Sequence, residues 1–141
     1  MAEVVHEMLK SFDNVRAVAG VEVGGCSLAS AASMYSLSGP GFSGQVHAIY
    51  VRKKAKEHGS GRMLEGNDII PDRSEVVLLE DVITTGKSTI KAVEVLREHG
   101  YIVNNVFVLV DREEGGLEEV EKCGVKVYSI FNKTEFLSFG R

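Results

Sequence analysis

The sequence has little cysteine and no long apolar run. Its two cysteines, Cys26 and Cys123, lie far apart. They form no CxxC pair and no Cys/His cluster, so neither a zinc site nor a disulfide scaffold is indicated. Both read as reduced thiols of a cytoplasmic protein, because disulfides are rare in that compartment. No stretch reaches the ~18–20 apolar residues that span a bilayer, so no membrane partner is expected. The first ten residues carry Glu3, His6 and Glu7, which excludes the hydrophobic segment of a signal peptide. Internal repeats and low-complexity tracts are missing. The formal net charge of -4 argues against a generic nucleic-acid binder.

What is present is the balance of an ordinary globular protein. With 44% hydrophobic and 26% charged residues over 141 positions, the chain can bury a working core without metal or disulfide staples. Its length predicts a single domain over 1–141.

Along the chain, apolar runs alternate with helix-like stretches. Val4, Val5, Met8 and Leu9 have helical spacing, so 1–11 reads as an amphipathic helix. Residues 15–19 read as a short buried strand followed by Gly20, Gly24 and Gly25. Residues 26–37, rich in Ala and Ser, suit a helix packed closely on a sheet. The string SGPGFSG at 38–44 is turn material. A strand is predicted at 46–51, then a long polar loop at 52–66, of a length that is usually functional in a compact domain. Further strands are predicted at 76–79, 106–110 and 125–130. Helices are predicted at 88–99, stopped by Gly100, and at 117–123, stopped by Gly124. Strands separated by helices imply βαβ units and a mostly parallel sheet with helices on both faces. Ligands of such sheets sit at the carboxyl ends of the strands. That rule singles out 20–25, 52–66, 80–88 and 111–116.

The most informative segment is 76–89, VVLLEDVITTGKST. Glu80 and Asp81 follow a buried strand, and two adjacent carboxylates there suit sugar hydroxyls or a cation better than a bare turn. Thr84, Thr85, Gly86, Lys87 and Ser88 then lead into a helix. Gly86 allows close backbone approach to a ligand. The first N–H groups of a helix are unpaired and favour an anion. Three hydroxyls around a glycine exceed what a plain N-cap needs, so the turn reads as a phosphate cradle. A P-loop is excluded by spacing, since it requires a glycine five positions before Gly86, where Asp81 stands.

Residues 52–62, RKKAKEHGSGR, carry five formal positive charges, Glu57 and His58. No aromatic residue interleaves them, which disfavours nucleic acid. They suit a clamp on a developing anion. His58 titrates near neutrality and can donate a proton or a hydrogen bond. Gly59 and Gly61 allow the segment to open and close.

Together these strings resemble the type I phosphoribosyltransferases. Residues 76–89 look like that family's motif for 5-phosphoribosyl 1-diphosphate (PRPP): apolar residues, two acids, then a Thr/Gly/Ser turn. The string YVRKKAKEHGSGRMLEG at 50–66 resembles the mobile catalytic loop of the orotate branch. The resemblance implies that Arg52, Lys53, Lys56 and His58 contact the diphosphate, and that the loop reaches the neighbouring active site of a homodimer. Residues 19–28 match the family's diphosphate loop, so Glu22, Val23 and Gly24 would present backbone groups to the diphosphate or its magnesium. Asp111-Arg112 matches an Asp-Arg whose guanidinium meets the orotate carboxylate, with Thr84 beside it. The implied fold is a mostly parallel sheet between helices, with a reduced hood, because only 14 residues precede Val15. The implied reaction converts PRPP and orotate to orotidine 5'-monophosphate and diphosphate with Mg2+, and no direct side-chain metal ligand is expected. Catalytic roles fall on Lys53, Lys56, His58 and Asp81. The readings that compete are transfer to another base and a non-catalytic PRPP-binding regulator.

Overall fold

A computed structural model describes residues 14–37, 45–54 and 62–138. The helix expected at 1–11 and the turn at 38–44 lie outside them. The described chain forms one six-stranded sheet. Its strands are β1 (Val15–Val21), β2 (His47–Val51), β3 (Leu64–Glu65), β4 (Glu75–Ile83), β5 (Asn105–Asp111) and β6 (Lys126–Asn132). The helices are α1 (Gly24–Ser36), α2 (Lys87–Glu98), α3 (Gly116–Glu121) and α4 (Lys133–Ser138). The sheet order is β3-β2-β1-β4-β5-β6. Every pairing is parallel except that of β2 with β3.

The hydrophobic pattern explains the layering. Central parallel strands are covered on both faces and therefore read as continuous apolar runs. In β4, Val76 to Leu79 are all at most 1% exposed. Alternate residues face opposite layers. Val18, Val77, Leu79 and Phe107 meet Leu28, Ala29 and Ala32 of α1. Ala17, Ala19, Val76, Leu78 and Val108 meet Ala92, Val93 and Leu96 of α2 and Val120 of α3. Helices thus cover both faces, as the alternation of strands and helices predicts. Leu96 is fully buried, so its truncation to Ala would cost about 2–5 kcal/mol.

Small residues set how closely the layers approach. A side chain at Gly20 would run into the backbone of Gly25. The end of β1 and the first turn of α1 therefore touch backbone to backbone.

The sheet order also locates the ligand crevice. After β1 the chain moves to β2 on one side, and later enters β4 on the other side of β1. The order reverses between β1 and β4, and the carboxyl ends beside such a switch form a natural cleft.

Several boundaries differ from the sequence reading. That reading ends the strand at 76–79 with Leu79, whereas β4 continues to Ile83. Its ladder with β5 extends through Glu80↔Val108, Val82↔Val110 and Ile83↔Asp111, so both acids lie within the strand. The loop predicted at 52–66 contains β3, paired antiparallel to β2 through Tyr50↔Glu65 and Val51↔Leu64. Helix α4 was not expected from apolar spacing, and it buries no residue. A reciprocal cap starts it: Asn132 Oδ1 accepts the Glu135 N–H at 2.8 Å, and Glu135 Oε2 accepts the Asn132 N–H at 3.0 Å. This is the capping-box arrangement.

Candidate active site

The ends of β1, β2, β4 and β5 bring four sequence segments to one edge of the sheet. At its centre is the turn between β4 and α2. Gly86 stands at the N-cap of α2 with φ 78°. Only glycine takes that conformation without strain. A side chain there would also lie 2.8 Å from the Gly116 carbonyl oxygen and 2.8 Å from Val120 Cγ2. No side chain caps α2, so the first N–H groups of the helix are left for a ligand. Thr85, Lys87 and Ser88 are exposed and Thr84 is half-buried. The five residues of the expected phosphate cradle are therefore together at a helix start.

Gly116 lies in the 111–116 segment at a strand end, but the sequence reading assigns it no role. A Cβ on it would collide with the Thr84 carbonyl oxygen. The start of α3 thus supports the phosphate turn from behind. The Gly115-Gly116 pair was the only signal for this in the sequence.

The acid pair is asymmetric. Glu80 is 5% exposed, and Thr89 Oγ1 donates to its Oε2 at 3.3 Å. Burial, then a hydrogen bond and charge from Asp81, push its pKa up to about 8. Glu80 therefore keeps its proton at neutral pH. Asp81 is half-buried, and its Oδ1 accepts the Val82 N–H at 2.9 Å. Its carboxylate also abuts Gly24 so closely that any side chain there would have to displace it. The diphosphate-loop candidates Glu22, Val23 and Gly24 are thus directly beside the acids. The Glu22–Val23 peptide is cis.

Basic groups line the other side. Glu22 N–H donates to the Val51 carbonyl at 2.9 Å. The Glu22 carboxylate accepts the Lys53 N–H at 3.1 Å. A cavity of about 240 Å³ lies between the ends of β1 and β2 and the start of α2, lined by Arg52, Lys53, Lys87, Ser88 and Lys91. A second cavity of about 370 Å³ lies beside α1, lined by Glu22, Cys26, Ser30, Tyr50, Arg52 and Glu65 among others. Burial and the nearby charges of Glu22 and Glu80 push the Cys26 thiol pKa up. Its S–H donates to the Gly20 carbonyl at 3.6 Å. That is the setting of an inert thiol rather than a nucleophile.

Not every candidate is aimed at this edge. Arg52 is paired with Glu65 at 3.6 Å. Arg112 follows β5, and its N–H donates to the Ile83 carbonyl, but its guanidinium is exposed and pairs with Glu114 at 3.1 Å. Lys56 and His58 lie outside the described residues. Among the described residues, no three His, Cys, Asp or Glu side chains converge as metal ligands, and no helix is long and apolar enough to cross a membrane.

The chain was compared with known proteins. Residues 1–136 match the phosphoribosyl transferase domain. Orotate phosphoribosyltransferase from Sorangium cellulosum is 46% identical over 97% of this chain and 70% of its own length. The protein of that name from Aquifex aeolicus is 40% identical over 97% of this chain and 72% of its own length. Among solved structures, orotate phosphoribosyltransferase from Mycobacterium tuberculosis in complex with PRPP superposes with a TM-score of 0.76 at 28% identity, covering 95% of this chain and 72% of that one. The Aeropyrum pernix enzyme of that name gives a TM-score of 0.73 at 35% identity, covering 99% of this chain and 77% of that one.

Proposed function

The chain belongs to the phosphoribosyltransferase family, and from that premise we propose that it transfers the 5-phosphoribosyl group from PRPP to orotate, releasing diphosphate and forming orotidine 5'-monophosphate. The observation that carries this reading is the uncapped start of α2 at Gly86, beside the acids Glu80 and Asp81 at the β1/β4 crevice. A ribose phosphate needs that pairing of a phosphate cradle with acceptors for sugar hydroxyls.

The roles combine this geometry with what the family resemblance implies. Thr84, Thr85, Gly86, Lys87 and Ser88 hold the 5-phosphate through the helix N–H groups and hydroxyls. Asp81 accepts hydrogen bonds from the ribose hydroxyls. The charge of the acid pair favours positive charge building on the sugar ring as the anomeric bond breaks. Glu22, Val23 and Gly24 face the diphosphate. Lys53, with Arg52, Lys56 and His58, stabilises charge on the leaving group. Arg112 takes the orotate carboxylate, exchanging its exposed partner Glu114 for a planar bidentate one. Thr84 sits beside the base. A magnesium ion bound with PRPP would neutralise diphosphate oxygens, held mainly by ligand oxygens with the hard donors Glu80 and Asp81 at hand. The working unit is a homodimer in which the basic segment beyond Lys53 serves the site of the other subunit, while Lys53 serves its own.

The test is PRPP-dependent conversion of orotate to its nucleotide, run beside a panel of other bases. Asp81→Asn and Lys56→Ala are each expected to lower the rate at least about tenfold. Turnover with another base but not orotate would move the substrate assignment. Binding of PRPP without turnover on any base would make the chain a regulatory binder. Mixing the two inactive variants is expected to restore activity, since a mixed dimer retains one intact site. A monomer in light scattering would remove the shared site.

A further inference from the structure

The peptide of Lys53 is gripped from two sides. Its N–H is held by Glu22 Oε2 at 3.1 Å. Its carbonyl accepts a hydrogen bond from Lys91 Nζ at 3.3 Å. Glu22 follows β1 and Lys91 sits in α2, 38 residues beyond Lys53 in sequence. Lys53 is thus held between the loop after β1 and the helix that opens at the phosphate turn.

Lys91 stands where local physics disfavours a lysine. Lys87 and Lys91 are four residues apart on one helix face, so their charges repel. Both lie near the start of α2, where the helix dipole opposes cations, and no acidic residue occupies the first turn. A bond to the Lys53 carbonyl offsets part of this for Lys91. Lys53, Lys87 and Lys91 all line the cavity of about 240 Å³. The same cavity is also lined by Val21, Val51 and Ala92.

We propose that Lys91, together with the Glu22 carboxylate, is a positioning residue that holds the Lys53 backbone so that the Lys53 ammonium meets the diphosphate of PRPP. Lys91 acts on the diphosphate through Lys53 and does not itself touch it. The inference rests on the reaction proposed above. It adds that the 5-phosphate helix and the diphosphate-binding lysine are joined by a hydrogen bond between them.

The experiment is calorimetric binding of magnesium-PRPP and of ribose 5-phosphate to the full chain and to four variants. Lys91→Met removes the ammonium but keeps the length of the side chain. It is expected to weaken PRPP about three- to tenfold, the range of one exposed charge-assisted hydrogen bond, and to leave ribose 5-phosphate unchanged. Lys91→Arg restores PRPP binding. In a Lys53→Met background, which keeps the carbonyl but removes the ammonium, adding Lys91→Met has no further effect. Additive losses in that double-mutant cycle would overturn the proposal, because Lys91 would then act on PRPP directly. Equal weakening of ribose 5-phosphate would also overturn it, because the substitution would then be disturbing α2 as a whole. If the unsubstituted chain binds no PRPP, the reaction assignment fails instead.

Discussion

The hydroxyl of Thr89 donates to Oε2 of Glu80 at 3.3 Å, joining the first turn of α2 to the first member of the acid pair in β4. Thr89 is wholly buried and Glu80 nearly so. Phosphate turn and acid pair are therefore one packed unit. A shift in either moves the other.

Stability should depend on pH through Glu80. Its folded pKa is raised from 4.5 to about 8 by burial and by Asp81. A group whose folded pKa is raised contributes stability that is fully present below its unfolded pKa. That contribution is lost as pH climbs toward the folded value. The melting temperature of the free protein is thus expected to fall between pH 4.5 and 8. Glu80→Gln, a neutral group of the same shape, should flatten this window in scanning calorimetry. Parallel pH curves for the two proteins would remove Glu80 as the cause.

Ligand binding should expel the proton from the acid pair. Sugar hydroxyls and a divalent cation both favour the ionised form. Calorimetry of magnesium-PRPP binding at pH 7, in two buffers of different ionisation enthalpy, is expected to report release of about one proton per site. Without magnesium the release should shrink. Glu80→Gln should release none.

Gly86→Ala should damage both fold and binding. The left-handed backbone at Gly86 costs a non-glycine residue roughly 1–3 kcal/mol, and the new methyl meets the Gly116 carbonyl. Chemical denaturation is expected to show a loss of that size, with PRPP affinity falling in parallel. A variant of unchanged stability would mean that the turn relaxes freely.

Gly24→Ala separates chemistry from stability. Position 24 opens α1 and needs no unusual φ, so helix formation should tolerate alanine. The methyl would displace the Asp81 carboxylate. The expected result is a kcat/KM loss of tenfold or more, about 1.4 kcal/mol, with only a small change in melting temperature. Full activity would show that Asp81 need not occupy its present place.

The parts of the site that were legible in sequence are those specified locally. Thr84, Thr85, Gly86, Lys87 and Ser88 announce a cradle because glycine and hydroxyls precede a stretch of 3.6-residue periodicity. The sheet was legible because Val76 to Leu79 and Val106 to Val108 are too continuously apolar for any exposed element. The rest depends on partners remote in sequence. Two acids read as a strand end, and only the ladder to β5 and the Thr89 hydroxyl carry Glu80 into the interior. Arg112 reads as a carboxylate ligand, yet Glu114 holds its guanidinium in the free chain. Lys91 has no local signature, since its partner is the backbone of Lys53. Asn132 and Glu135 did carry a local signature, but the helix they cap has no buried face.

The antiparallel pairing of β2 with β3 has a consequence for how this edge of the protein can change. Arg52 N–H donates to the Met63 carbonyl at 2.8 Å, next to the paired residues Val51 and Leu64. Arg52 and Met63 are therefore fixed side by side on the same rigid ladder. Closing the segment between them costs only about 0.6 kcal/mol more for each doubling of its length. Insertions, deletions or whole exchanges there should leave the sheet and the phosphate turn in register.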